Sequence, residues 1–158
     1  MVAGASRGFG RASWLGPAQE GCKGALCGSG HDELDKCAEE IKSKTGSTTV
    51  VVPPDVTKPD EIKGAIASAV EQLGQLDSLV TNGGGPPASA FVVQRNEAWQ
   101  PAFELHLMSM VNRIREALPS LQKRGRGTLI TLHSHPGNDT VQTLLVHNRL
   151  CSAVVAHG

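Results

Sequence analysis

The sequence predicts an α/β domain built as a doubly wound parallel sheet with helices on both faces, and three observations carry that prediction. Short runs of Val, Leu, Ile and Thr alternate along the chain with longer segments of helical period. Gly and Pro mark the joints between these segments. A glycine-rich turn, Gly4-Ala5-Ser6-Arg7-Gly8-Phe9-Gly10, stands where a first strand passes into a first helix. Such alternation is the pattern of repeated β-α units on a parallel sheet.

The first strand is a stub over 1–3. That strand is central in a doubly wound sheet, so its shortness predicts neighbours lacking partners, a marginal monomer and self-association through exposed sheet edges. The first helix is expected over 9–19, with a break or kink at Gly16-Pro17, where Pro removes a hydrogen bond and clashes with the preceding turn. A strand over 23–27, a helix over 32–44 and a strand over 48–52 follow. In the next helix, 60–73, Ile62, Ala65, Ile66, Ala69, Val70 and Leu73 recur at three and four, which lays one apolar stripe against a sheet. After a strand over 78–82 comes a long helix over 97–122, in which Pro101 is tolerated if a new helix starts at Gln100. A strand over 128–133 and a helix over 145–156 end the series. No repeat, linker or low-complexity segment divides the chain, so residues 1–158 are expected to form one domain.

Composition removes whole classes of function. The 158 residues carry 15 Lys plus Arg against 15 Asp plus Glu, a balance that speaks against a basic nucleic-acid surface or an acidic tail. No apolar run approaches the roughly 20 residues of a membrane span, and Met1 leads into Val-Ala-Gly without a signal region, so the expectation is a cytoplasmic protein with no membrane partner. Cys22, Cys27, Cys37 and Cys151 form no Cys-x-x-Cys pair and read as reduced thiols. His133, His135, His147 and Cys151 are ligand types, but their spacing is no zinc signature, and no metal is expected. The chain has no tyrosine, which excludes any mechanism with a phenol as acid or base.

The glycine turn is the first candidate site. Gly4, Gly8 and Gly10 permit positive φ and let a diphosphate approach the helix N-terminus, whose N–H groups and dipole favour an anion; Arg7 would lie beside it. Extended through Arg11-Ala12, this segment resembles the opening motif of the short-chain dehydrogenase/reductase family. Three further segments match in order: Pro54-Asp55-Val56-Thr57, like the family's Asp-Val segment after the third strand; 76–85, with Asn82-Gly83-Gly84, like its fourth strand and Asn-Asn-Ala-Gly turn; and 126–134, like the fifth strand ending at the catalytic Ser, here Ser134. Gly84-Gly85-Pro86-Pro87 with Trp99 and Pro119 is also similar to the 3-oxoacyl carrier-protein reductase branch.

The resemblance implies a Rossmann fold that binds NADP or NAD through Gly4, Ser6, Arg7, Gly8, Phe9, Gly10, Ser29, Asp55, Val56, Asn82, Gly83 and Gly84. No acid stands at the end of the second strand, where Cys27-Gly28-Ser29-Gly30 occurs, and Arg7 with Ser29 would suit a 2′-phosphate, so NADP is the expected cofactor. For catalysis the resemblance keeps Ser134 at the serine position but places His147 where the family has Tyr, Cys151 where it has Lys and His106 where it has Asn. A histidine titrates near pH 6.5 and would supply a proton in place of Tyr. A thiol would not supply the lysine's positive charge.

Two readings follow: an NADP-dependent oxidoreductase acting on a carbonyl or alcohol with impaired activity, or a non-catalytic dinucleotide-binding or truncated relative. Family members continue past the Tyr-Lys helix into a substrate-closing segment, and the chain here ends at Gly158, so the substrate is left unnamed. The interface helices implied for a homo-oligomer are the fourth and the last.

Overall fold

A computed structural model describes residues 1–84, 95–123 and 125–133. Ser134, His147, Cys151 and the helix expected over 145–156 lie outside the described residues. Five parallel strands form one sheet in the order β3-β2-β1-β4-β5, with β1 Val2–Ala3, β2 Gly24–Cys27, β3 Thr49–Val52, β4 Ser78–Asn82 and β5 Thr128–Leu132. Between them run α1 Gly8–Gln19, α2 His31–Thr45, α3 Pro59–Leu73, α4 Trp99–Phe103 and α5 Ser109–Lys123.

Period-two alternation divides the sheet between two cores. Ala25, Cys27 and Leu79 face the apolar stripes of α3 and α5, with Ile62, Ala65, Ile66, Ala69, Ala117 and Leu121. Val2, Leu26 and Val80 face the other way, onto Trp14 and Ala18 of α1 and Leu34, Cys37, Ala38 and Ile41 of α2. The stripe read from α3 is therefore the buried one. Local signals set the helix limits: Pro59 opens α3 in the permissive first turn, and Gly74, at φ 85°, closes it with its N–H on the Val70 carbonyl at 2.8 Å. In α2, Asp32 and Glu33 occupy the first turn and Lys42 and Lys44 the last, each matched to the helix dipole.

The first strand is central, as its place in the order requires, and it spans only two residues between neighbours of four and five. Val2 pairs with Leu26 on one side and Val80 on the other. Met1 extends the ladder by one residue, its ammonium donating to the Ser78 carbonyl at 2.8 Å and its carbonyl accepting from Val80 N–H at 2.9 Å. Burial pulls that amine down to about 6, against the pull of Asp77. A cavity of about 550 Å³ opens beside this strand, lined in part by Trp14, Lys23, Asp77 and Ser78.

Two prolines test the helix expectations. The expected break at Gly16-Pro17 does not occur: α1 runs on to Gln19. Gly16 has no Cβ to meet the proline ring, and Pro17 sits in the last turn. The carbonyls of Gly16, Pro17 and Ala18 accept from the N–H groups of Glu20, Cys22 and Gly21, which completes the helix end. Pro101 lies in the first turn of α4, after a 3₁₀ turn at Asn96–Ala98. The long fourth helix is thus a succession, with a π-helical turn at Glu104–Met108 joining α4 to α5.

Candidate functional site

The strand order reverses direction between β1 and β4, and a cleft at the carboxyl ends of the strands is where a doubly wound sheet binds its ligand. A cleft of about 570 Å³ lies there. Gly4 after β1, Ser29 after β2, Asp55 and Val56 after β3, and Asn82 to Gly84 after β4 all line it. Residues 28 to 84, far apart in sequence, meet because parallel strands present all their carboxyl ends on one edge.

The glycine turn is built by close approach. Gly4 has φ 60°, and a Cβ there would stand 2.7 Å from Asn82 Nδ2, so the turn after β1 rests against the end of β4. At Gly10 a Cβ would overlap the Gly4 carbonyl oxygen and stand 2.7 Å from its carbon, which is how α1 starts so close to the strand. Ala5 N–H donates to the Cys27 carbonyl at 3.2 Å, and the Cys37 thiol to the Ala5 carbonyl at 3.4 Å, so β2 and α2 both hold the turn. Burial pushes the Cys37 thiol up, and it stays a neutral donor. Ser6 is half-buried, whereas Arg7 and Gly8 are exposed. Phe9 is 84% exposed. The cleft lining therefore takes in Gly4, Ser29, Asp55, Val56, Asn82, Gly83 and Gly84 of the expected cofactor set, while residues 6–10 are not among its lining residues.

Asp55 is fixed by its own loop. Its carboxylate accepts from the Thr57 hydroxyl at 2.6 Å and the Thr57 N–H at 3.0 Å, and these bonds hold it below the usual carboxylate range. Asp55 N–H in turn donates to Glu61 at 2.8 Å, which ties the loop to α3. Near Ser29, the Glu33 carboxylate lies against Gly30.

At the other end of the cleft, His106 is 7% exposed and sits in the π-helical turn. Its Nδ1 lies 3.3 Å from the Gly84 carbonyl. A carbonyl only accepts, so this contact places the proton on Nδ1. Arg113 is not among the residues singled out from the sequence. It is 2% exposed and lines the cleft, with Nε donating to the Ser109 carbonyl at 2.9 Å, Nη2 to the Ser109 hydroxyl at 2.8 Å and Nη1 to the Asn82 carbonyl at 3.3 Å. The available signal was its register: Met110, Arg113, Ala117 and Leu121 share the buried stripe of α5, where a cation is out of place. Among the described residues no group of three His, Cys, Asp or Glu side chains is placed to hold a metal. Among them, too, no helix is long and apolar enough to cross a membrane.

The site has relatives. The family model for short chain dehydrogenases matches residues 1–147. A 3-oxoacyl-[acyl-carrier-protein] reductase of Staphylococcus aureus is 33% identical over 138 residues, covering 87% of this chain and 56% of the relative. L-sorbose reductase from Gluconobacter frateurii, solved with NADPH and L-sorbose, superposes with a TM-score of 0.93 at 28% identity, over 99% of this chain and 59% of that one. Actinorhodin polyketide ketoreductase, solved with NADPH, gives a TM-score of 0.93 at 25% identity, over 99% and 60%. The chain spans a little over half the length of these relatives. With a family match over nearly all its residues and a Rossmann-type sheet to go with it, the chain belongs to the short-chain dehydrogenase/reductase family.

Proposed function

We propose that the chain binds NADP in the cleft between β1 and β4 and acts as an oxidoreductase on a carbonyl or alcohol substrate, with activity reduced by the loss of the family's acid. The observation that carries this reading is the cleft: it lies at the carboxyl ends of the strands, where the tight approaches at Gly4 and Gly10 hold the start of α1 against β1, and seven of the expected cofactor residues line it. NADPH in the two solved relatives supports the choice of cofactor. NAD is the second cofactor reading, favoured by the Glu33 carboxylate at Gly30, which would repel a 2′-phosphate near Ser29.

When bound, the reduced nicotinamide supplies a hydride to a carbonyl carbon. The chain's own part would be to orient the carbonyl oxygen through Ser134 and to donate a proton from His147, with His106 fixing the Gly84 turn. Cys151 at the lysine position gives no cation to tune that acid. The alternative is a non-catalytic dinucleotide-binding domain, favoured by the absence of any tyrosine. We further place the protein in the cytoplasm. Self-association would run through β5, where Leu129 and Ile130 are 43% and 45% exposed.

NADPH oxidation with a panel of small ketones and 3-oxoacyl thioesters separates the two readings. The expected result is slow turnover that falls by about a hundredfold in His147→Ala, the size typical of a lost general acid, and also falls in Ser134→Ala. Turnover indifferent to both changes would remove the catalytic role of these residues, and none in any sample would leave the binding domain.

A further inference from the structure

Arg113 is a buried cation with no ion pair among the described residues. Its guanidinium has five N–H donors. Three are used, on the Ser109 carbonyl, the Ser109 hydroxyl and the Asn82 carbonyl, all of them uncharged acceptors. The ionisable group that acts on Arg113 among the described residues is Cys27, whose thiol is pushed up to about 11 by burial and is neutral at pH 7. A buried ion ordinarily needs a paired charge. Here its uncompensated field reaches the cleft at the Asn82 end, where solvent screens it little.

That position bears on the redox state of the ligand. The oxidised nicotinamide ring carries a positive charge and the reduced ring carries none, while the rest of the dinucleotide is the same. With the nucleoside end at Ser29 and Asp55, the ring falls at the Asn82–Gly84 end, beside the cation. We propose that Arg113 is a specificity-determining residue that biases the cleft toward the reduced dinucleotide and against the oxidised one, an inference that rests on the cofactor reading above. It makes the chain a better receiver of NADPH than of NADP⁺.

The test is the ratio of the Kd for NADP⁺ to the Kd for NADPH, measured by calorimetry on the full chain and on Arg113→Lys, Arg113→Gln and Arg113→Met, each checked by its melt. Removing the charge in Arg113→Gln or Arg113→Met is expected to lower the ratio by roughly fivefold, chiefly by tightening NADP⁺, whereas Arg113→Lys keeps it. The glutamine variant retains an N–H for the Asn82 carbonyl, and so carries the test if the methionine variant does not fold. A residue that served only to hold Asn82 and Ser109 would shift both constants together and leave the ratio alone. An unchanged ratio in a folded, uncharged variant, or a ratio lost in the lysine variant, overturns the inference while the cofactor reading stands. Failure of the parent chain to bind either form overturns both.

Discussion

Replacing Gly10 with alanine is expected to abolish dinucleotide binding and to destabilise the fold by about 3 kcal/mol, at the upper end of overpacking costs. The new Cβ would overlap the Gly4 carbonyl oxygen and stand 2.7 Å from the Gly4 carbon and 3.0 Å from the Ala3 oxygen. All three are backbone atoms, so no rotamer change relieves the clash. Either α1 moves off β1 or the turn opens, and both displace the N–H groups that would face a diphosphate. Gly64→Ala is the control: nothing lies within 4 Å of its Cβ, it sits inside α3, and alanine there is expected to add about 0.5–1 kcal/mol. Chemical denaturation with NADPH titration reads both effects. A Gly10→Ala protein that binds NADPH like its parent would contradict the role given to the turn.

Trp14→Ala is expected to cost about 3–5 kcal/mol, a large part of the roughly 5–15 kcal/mol that holds a domain of this size together. The indole is 4% exposed and packs in the core with Val2, Leu26, Leu34 and Ile41. Its six-membered ring lies against Gly24, where a Cβ would come within 2.6 Å of Cζ2, and its Nε1 donates to the Thr49 hydroxyl at 3.1 Å. One side chain on α1 thus reaches both β2 and β3. Trp14→Phe keeps most of the packing and loses the hydrogen bond, for about 1 kcal/mol plus the lost ring area. An unfolding free energy of Trp14→Ala, from urea titration, within about 1 kcal/mol of the parent would refute this account of the core.

The parts of the fold that were legible in the sequence are those governed by local rules. The α3 stripe, the end of that helix at 73 and the restart before Pro101 each follow from spacing or from a single residue's backbone preference. Pro17 leaves α1 unbroken because of its position: one turn from a helix end and preceded by glycine, it meets little of what it would break mid-helix. At the cleft, Gly4 and Asp55 after their strands and Asn82 at the end of β4 were legible as motif residues, and parallel topology gathers them. Arg113 was not, because its significance lies in having no charged partner among the described residues, and helix period alone shows only that it is buried. The π-helical turn that carries His106 was equally silent, since no residue type marks an extra residue in a helical turn.

The central claim is that this cleft holds NADP, and fluorescence titration of the purified chain with NADPH and NADH tests it most directly, alongside Arg7→Ala. Saturable binding of NADPH, tighter than that of NADH and at least about tenfold weaker once the exposed Arg7 cation at the turn is removed, is the expected result. A cooperatively folded sample that binds neither dinucleotide would contradict it, and would leave the cleft as a family inheritance without its ligand.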